Sequence, residues 1–227
     1  MTYTLITANR NYSSWSLRPW LLMRALGIAF EDRIEPFAAP DNYDAFRAFS
    51  PTGQVPVLID GARTVWDSLG IALYLADRHD GIWPTEEAAR AFAQCAVAEM
   101  HGGFSALRND CTMNLGVRVA PHPHSPALAR NEARIRELFE QGLDRFGGPW
   151  LAGADFTAVD AFYAPVAFRI RTYGLDAGRG HVWVERVIAH PAAQEWEAAA
   201  LAETWREPVH EAELAAAGTI IADYRNA

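Results

Sequence analysis

The chain has 227 residues, half of them hydrophobic, and a formal charge of -8, enough to bury a large core in one domain or two small ones. The acidic balance argues against nucleic acid or an anionic membrane surface as the main partner, no apolar run reaches a membrane span, and the N-terminus lacks the basic and apolar regions of a secretory signal. The two cysteines, Cys95 and Cys111, form no CxxC, which indicates neither a metal site nor a dithiol redox site and fits a reducing cytoplasm.

In chain order, Tyr3-Thr4-Leu5-Ile6-Thr7 has the β-branched and aromatic character of a buried strand. A serine-rich turn, Ser13-Ser14-Trp15-Ser16-Leu17-Arg18-Pro19, then feeds a helix that runs through Trp20, Leu21, Leu22, Met23 and Leu26 to a stop at Gly27. Pro19 costs a helix little only within its first turn, so Ser16 is the expected N-cap. Ser13 and Ser14 then lie just ahead of the positive helix end, where an anion is favoured.

Phe30 to Ile34 reads as a second strand, and Asp41 or Asn42 caps a short helix that ends near Phe49. Val55-Pro56-Val57-Leu58-Ile59 forms a third strand, and Asp60-Gly61 turns it into Thr64-Val65-Trp66. Asp67-Ser68 opens an amphipathic helix that ends near Gly81, with Ser68 as its natural N-cap. The order βαβ then αββα describes a small mixed sheet with helices on its faces.

Beyond Thr85 the strand signals disappear. One long helical stretch is expected from Thr85 to about Asp110, with Phe92, Val97, Met100, Phe104 and Leu107 inward. Pro121-His122-Pro123-His124-Ser125-Pro126 reads as a connecting loop rather than a metal site. A helix follows from Pro126 to Phe146, and Thr157-x-x-Asp160 has the outline of a capping box for the next one. Pieces near Val182–Ile188 and Pro191–Thr204 complete the bundle, and the two halves meet near Gly81–Thr85.

Four features occur in order: Ser13-Ser14-x-Ser16-x-Arg18, Gln54-Val55-Pro56, Asp67-Ser68 and Thr157-x-x-Asp160. Together they resemble the glutathione S-transferase superfamily along essentially the whole chain. The serine motif is most similar to the zeta class, which includes maleylacetoacetate isomerases, although Trp15 stands where that motif has cysteine. The resemblance implies an N-terminal thioredoxin-like βαβαββα domain, residues 1–81, and a C-terminal all-helical domain, residues 85–227. It implies glutathione as substrate or cofactor, a small electrophile as second substrate, and a homodimer in which Tyr74, Arg78 and Phe92 are plausible interface positions.

Only a thiolate is a good nucleophile, and a hydroxyl donor at a helix N-terminus favours it. Ser13 would be that donor and Ser14 an adjacent contact, with the choice between them, and Tyr12 as a third hydroxyl, open. Val55-Pro56 would be a cis peptide that lets the Val55 backbone pair with an extended tripeptide. Gln54 would bond the glycyl end or main chain of glutathione. The helix start at Ser68 would take the γ-glutamyl carboxylate, and Asp67 the ammonium group.

Thr157 and Asp160 read as structural, and Arg18 as a structural arginine that holds the loop or the contact between halves. For the second substrate, Trp15 would stand in the wall of the electrophile site; Met100, His101, Phe104 and Arg108 lie at near-helical spacing, so that one face of the first long helix would look toward Ser13, and Arg108 suits a carboxylate or phosphate. Conjugation and glutathione-dependent isomerisation of a maleylacetoacetate-like acid both fit. A non-catalytic binding protein of the same fold would not need all four motifs, and a thioredoxin-type oxidoreductase lacks its cysteine at the first helix.

Overall fold

The computed structural model describes residues 2–38 and 41–225. The first part holds β1 (Tyr3–Thr7), α1 (Ser14–Ala25), β2 (Phe30–Ile34), α2 (Tyr43–Arg47), β3 (Val57–Asp60), β4 (Arg63–Val65) and α3 (Ser68–Ala76). Its sheet has the order β2-β1-β3-β4, with β1 parallel to β2 and antiparallel to β3. Gly61, at φ 57°, makes the tight β3–β4 turn that Asp60-Gly61 announces. This is a thioredoxin-like domain with a mixed sheet.

The helical part follows with α4 (Glu87–Gly102), α5 (Ser105–Asp110), α6 (Pro126–Phe146), α7 (Ala158–Tyr173), α8 (His181–Ala189), α9 (Pro191–Ala202) and α10 (Pro208–Ala217). Helix α7 is the axis. All of its residues but Arg171 are buried, Asp160 and Arg169 among them, and it packs on α1, α4 and α8. Asp160 anchors its start. The fully buried carboxylate accepts from Leu151 N (2.9 Å), Thr157 N (3.0 Å) and Trp183 Nε1 (2.8 Å), which joins α7 to the preceding turn and to α8.

Four expectations are corrected. Helix α1 begins at Ser14, so Ser16 is not its cap and Pro19 lies inside it. The Ser16 hydroxyl is turned inward, where it accepts from Ala8 N (3.3 Å) and Ser13 Oγ (2.7 Å). An interior proline costs about 3 kcal/mol; burial of Leu17, Trp20, Leu21, Leu22 and Met23 offsets it.

Asp67, not Ser68, caps α3: its Oδ1 accepts from Leu69 N (2.9 Å) and Gly70 N (3.3 Å), and Ser68 is a buried first residue. The single helix expected over 85–110 breaks at Gly103-Phe104, where Phe104 takes a left-handed φ of 58°.

Finally, the helical part holds strands β5 (Val117–Pro121) and β6 (Gly218–Asp223), paired antiparallel with Pro121 opposite Gly218. Val117-x-Val119 and Thr219-Ile220-Ile221 carry the β-branched character the pairing needs. The partners lie about a hundred residues apart, beyond any local pattern.

Candidate active site

A cleft of about 710 Å³ lies between the two parts, at the N-terminal end of α1. Its thioredoxin-like wall is formed by Tyr12, Ser13, Ser14, Trp15, Gln54, Val55, Pro56 and Asp67, with Phe37 and Tyr43 at one edge. His101, Arg108, Thr112, Met113 and Arg169 form the opposite wall, and His210 and Glu213 of α10 face it from the C-terminal segment.

The turn that carries the serines is held from several directions. Asn9 O accepts from Ser13 N at 2.9 Å, and Asn9 Oδ1 accepts from Phe37 N at 2.7 Å. Trp196 of α9 donates to Arg10 O at 3.0 Å, and Glu203 accepts from Arg10 N at 2.6 Å. Such bonds across the chain fix a loop that its own sequence leaves free.

The three hydroxyls on this turn differ in what they do. Ser13 Oγ bonds Ser16 Oγ, whereas Ser14 Oγ has no protein partner among the described residues. Tyr12 donates its hydroxyl to Glu211 at 2.8 Å and stacks on His210, whose ring lies 5.0 Å away. Burial, then Glu211, pushes the Tyr12 hydroxyl well above its ordinary pKa. That hydroxyl is committed to α10.

Along the same wall, Ser50 Oγ donates to Gln54 O (2.7 Å) and accepts from Gln54 N (3.2 Å), leaving the Gln54 side chain exposed. The Val55-Pro56 peptide is cis. Strand β3 starts at Val57, and the main-chain N–H and C=O of Val55 make no bond among the described residues. Asp67 caps α3 with one oxygen and meets His101 Nε2 with the other at 3.2 Å, tying the two walls together. Burial lowers the His101 pKa, Arg18 and Arg108 lower it further, and Asp67 opposes them.

Trp15 sits among cations. The Arg18 guanidinium lies 4.0 Å and that of Arg108 4.7 Å from its ring, and the His101 ring meets it edge-on at 5.2 Å. Arg18 is fully buried; it approaches Ser68 Oγ at 3.5 Å, while its Nε and Nη2 have no hydrogen-bond partner among the described residues. Burial, then Arg108 and Arg169, holds its pKa well below the usual arginine value.

Of the residues expected for the second substrate, Trp15, His101 and Arg108 line the cleft. Met100 and Phe104 do not: both belong to the hydrophobic core, Met100 under Arg108, which donates to its carbonyl, and Phe104 edge-on to Tyr163. Ser68 lies buried behind the wall and presents no hydroxyl to it. Sequence reasoning missed Arg169, Thr112, Met113, His210 and Glu213. Arg169 directly follows the apolar run from Ala161 to Phe168, and that was the one local signal available, since a buried arginine is rare without a partner.

Residues 12–78 match the family model for the glutathione S-transferase N-terminal domain, and residues 125–199 match the one for its C-terminal domain. Over 166 residues the chain is 30% identical to glutathione S-transferase theta-1 of Mus musculus, covering 64% of this chain and 66% of that protein. Over 123 residues it is 26% identical to a zeta class glutathione S-transferase of Euphorbia esula, covering 53% and 55%. The alignments thus span between about half and two thirds of these relatives. The fold is similar to that of a glutathione transferase homolog from Burkholderia solved with bound glutathione, with a TM-score of 0.65, 19% identity and coverage of 86% and 96%. With both halves matched in order on one chain, the protein belongs to the glutathione S-transferase superfamily.

Proposed function

We propose that the protein binds glutathione along the thioredoxin-like wall and adds its thiolate to an electrophilic carbon of a small molecule. The observation that carries this reading is the placement of two serine hydroxyls at the positive end of α1, on the same wall as the unbonded main chain of Val55. An extended tripeptide would pair with Val55 as an added strand and meet Gln54 with its glycyl part. Its ammonium group would face Asp67, and its γ-glutamyl carboxylate the first-turn N–H of Ser68.

The thiol then lies at Ser13. The N-terminus of α1 and a hydroxyl donor both favour the charged sulfur, so the proton leaves to solvent at neutral pH. Ser16, behind Ser13, turns its own hydrogen toward Ser13 when Ser13 donates to sulfur. Ser14 is an adjacent contact. A sulfur–carbon bond forms at the electrophile, and either a leaving group departs or the neighbouring carbon takes a proton. Calorimetric titration with glutathione tests the reading: millimolar or tighter binding supports it, and no heat at that concentration removes it.

Reversible addition followed by release would isomerise a cis double bond, with glutathione as cofactor. The likeness of Ser13-Ser14-x-Ser16-x-Arg18 to the zeta motif and the Euphorbia esula relative support that variant. Product mass separates the two, since only conjugation retains the tripeptide. We place the division of the chain at Gly81–Thr85, with residues 1–81 binding glutathione and residues 85–227 the electrophile. We also place the protein in the cytoplasm, where its two unpaired cysteines would stay reduced. A homodimer is the proposed functional unit, to be read by sedimentation equilibrium.

A further inference from the structure

The helical wall of the cleft carries positive charge that no ion pair among the described residues neutralises. Arg169 lies on α7, 5% exposed, and lines the cleft. Its Nε donates to Cys111 O at 2.7 Å and its Nη1 to Pro165 O at 3.4 Å. Arg108 donates through Nε to Gly103 O at 3.1 Å and through Nη2 to Met100 O. These partners are neutral carbonyls. The remaining amino groups, Nη2 of Arg169 and Nη1 of Arg108, bond nothing among the described residues.

Behind them lies Arg18, fully buried, with two nitrogens that bond nothing among the described residues. None of the three has a carboxylate within ion-pair distance among the described residues, whereas Arg134, Arg171, Arg179 and Arg225 each have one. The two acids on the cleft do not change this. Asp67 pairs with His101 and caps α3 and makes no ion pair with any of the three, and Glu213 reaches neither guanidinium among the described residues. In a chain of net charge -8, buried arginines ordinarily find an acid. Here Arg108 and Arg169 line the cleft instead.

We infer that Arg108 and Arg169 form the recognition site for a carboxylate on the second substrate, so that the electrophile this protein uses is a small organic acid. The inference rests on the transferase reading and adds the substrate class. The free amino groups of the two guanidinia hold the carboxylate, Arg18 adds to the field from behind, and Trp15 and Met113 offer apolar surface to the carbon skeleton between that carboxylate and the sulfur.

Two matched electrophiles test it: 4-chloro-3,5-dinitrobenzoate and its methyl ester. In both, the glutathione sulfur bonds to C4, the C–Cl bond breaks, chloride leaves and the thiol proton passes to buffer. Each kcat/KM is divided by the uncatalysed rate constant with glutathione. The expected result is a preference for the acid of about tenfold or more, the worth of one charge-assisted hydrogen bond. Arg108→Gln is expected to lower that ratio toward one.

Should that variant fail to fold, inhibition of ester turnover by benzoate in the unaltered protein decides. Competition with the ester but not with glutathione supports the site. Competition with glutathione overturns it, because the arginines then serve the tripeptide. Turnover of both compounds without preference for the acid also overturns the site and leaves the transferase reading standing. No turnover of either, together with no glutathione binding, overturns both.

Discussion

Ser16 is the residue through which the serine turn is organised. It was expected to cap a helix, and instead it stands behind Ser13 with its oxygen shared between Ser13 and the Ala8 amide. Ser16→Ala leaves a buried N–H without an acceptor, which costs about 1–3 kcal/mol. It should therefore lower stability in urea unfolding and also weaken thiolate stabilisation, whereas Ser14→Ala should do neither to the same degree. Arg18 obeys a different balance. Arg18→Ala opens a cavity next to Trp15 and Phe162 and is expected to cost about 2–4 kcal/mol. Arg18→Met fills most of that volume and removes an unneutralised buried charge, so its unfolding midpoint should lie close to that of the parent. A midpoint for Arg18→Met as low as that of Arg18→Ala would show that the charge itself is needed.

At the scale of elements, α7 is positioned by one carboxylate and the C-terminal sheet by one glycine. Burial pushes the Asp160 pKa up to about 6 against the hydrogen bonds that hold its charge. The folded value lies above the unfolded one, so the native state holds the extra proton between about pH 4 and 6. The contribution of this group is therefore fully present below about pH 4 and is lost as pH rises through 6. Asp160→Asn removes that slope. It also turns an amide NH2 toward the Thr157 N–H or toward the Leu151 and Trp183 donors, leaving a buried donor without an acceptor, and should lower stability at pH 7 by about 1–3 kcal/mol. Urea midpoints at several pH values in both proteins check both parts.

Gly218 stands where a Cβ would meet Ala120 O at 2.2 Å and Pro121 Cα at 2.7 Å, both backbone atoms that cannot turn aside. Gly218→Ala should break the β5–β6 pairing at that end, seen as faster amide exchange along β6, with a cost of about 1–3 kcal/mol.

Across the whole molecule, legibility follows the range of the interactions. The strand at Tyr3–Thr7, the helix stop at Gly27, the turn at Asp60-Gly61 and the carboxylate at Asp160 are local signals, and each stands where the sequence places it. What was not legible depends on contacts between distant segments. β5 and β6 pair across the helical part, α10 lays His210 over Tyr12 and Phe37, and Arg169 reaches the cleft only because α7 passes behind it. The serine turn was readable as a helix start, but its register was not, because Ser16 is satisfied from the end of β1 rather than by its own helix. The motif residues on the thioredoxin-like wall were legible because each belongs to a short motif of neighbouring residues. The opposite wall had to be seen folded.

The ionisation of glutathione in this cleft tests the central claim most directly. Thiolate absorbance of the bound tripeptide, followed against pH, is expected to give a pKa lower than that of the free thiol by about 1–2 units, and Ser13→Ala is expected to return it toward the free value. A shift lost in Ser14→Ala and kept in Ser13→Ala would move the donor by one residue. An unshifted thiol in the unaltered protein, or no binding at millimolar glutathione, would contradict the assignment of this cleft as a thiolate-generating site.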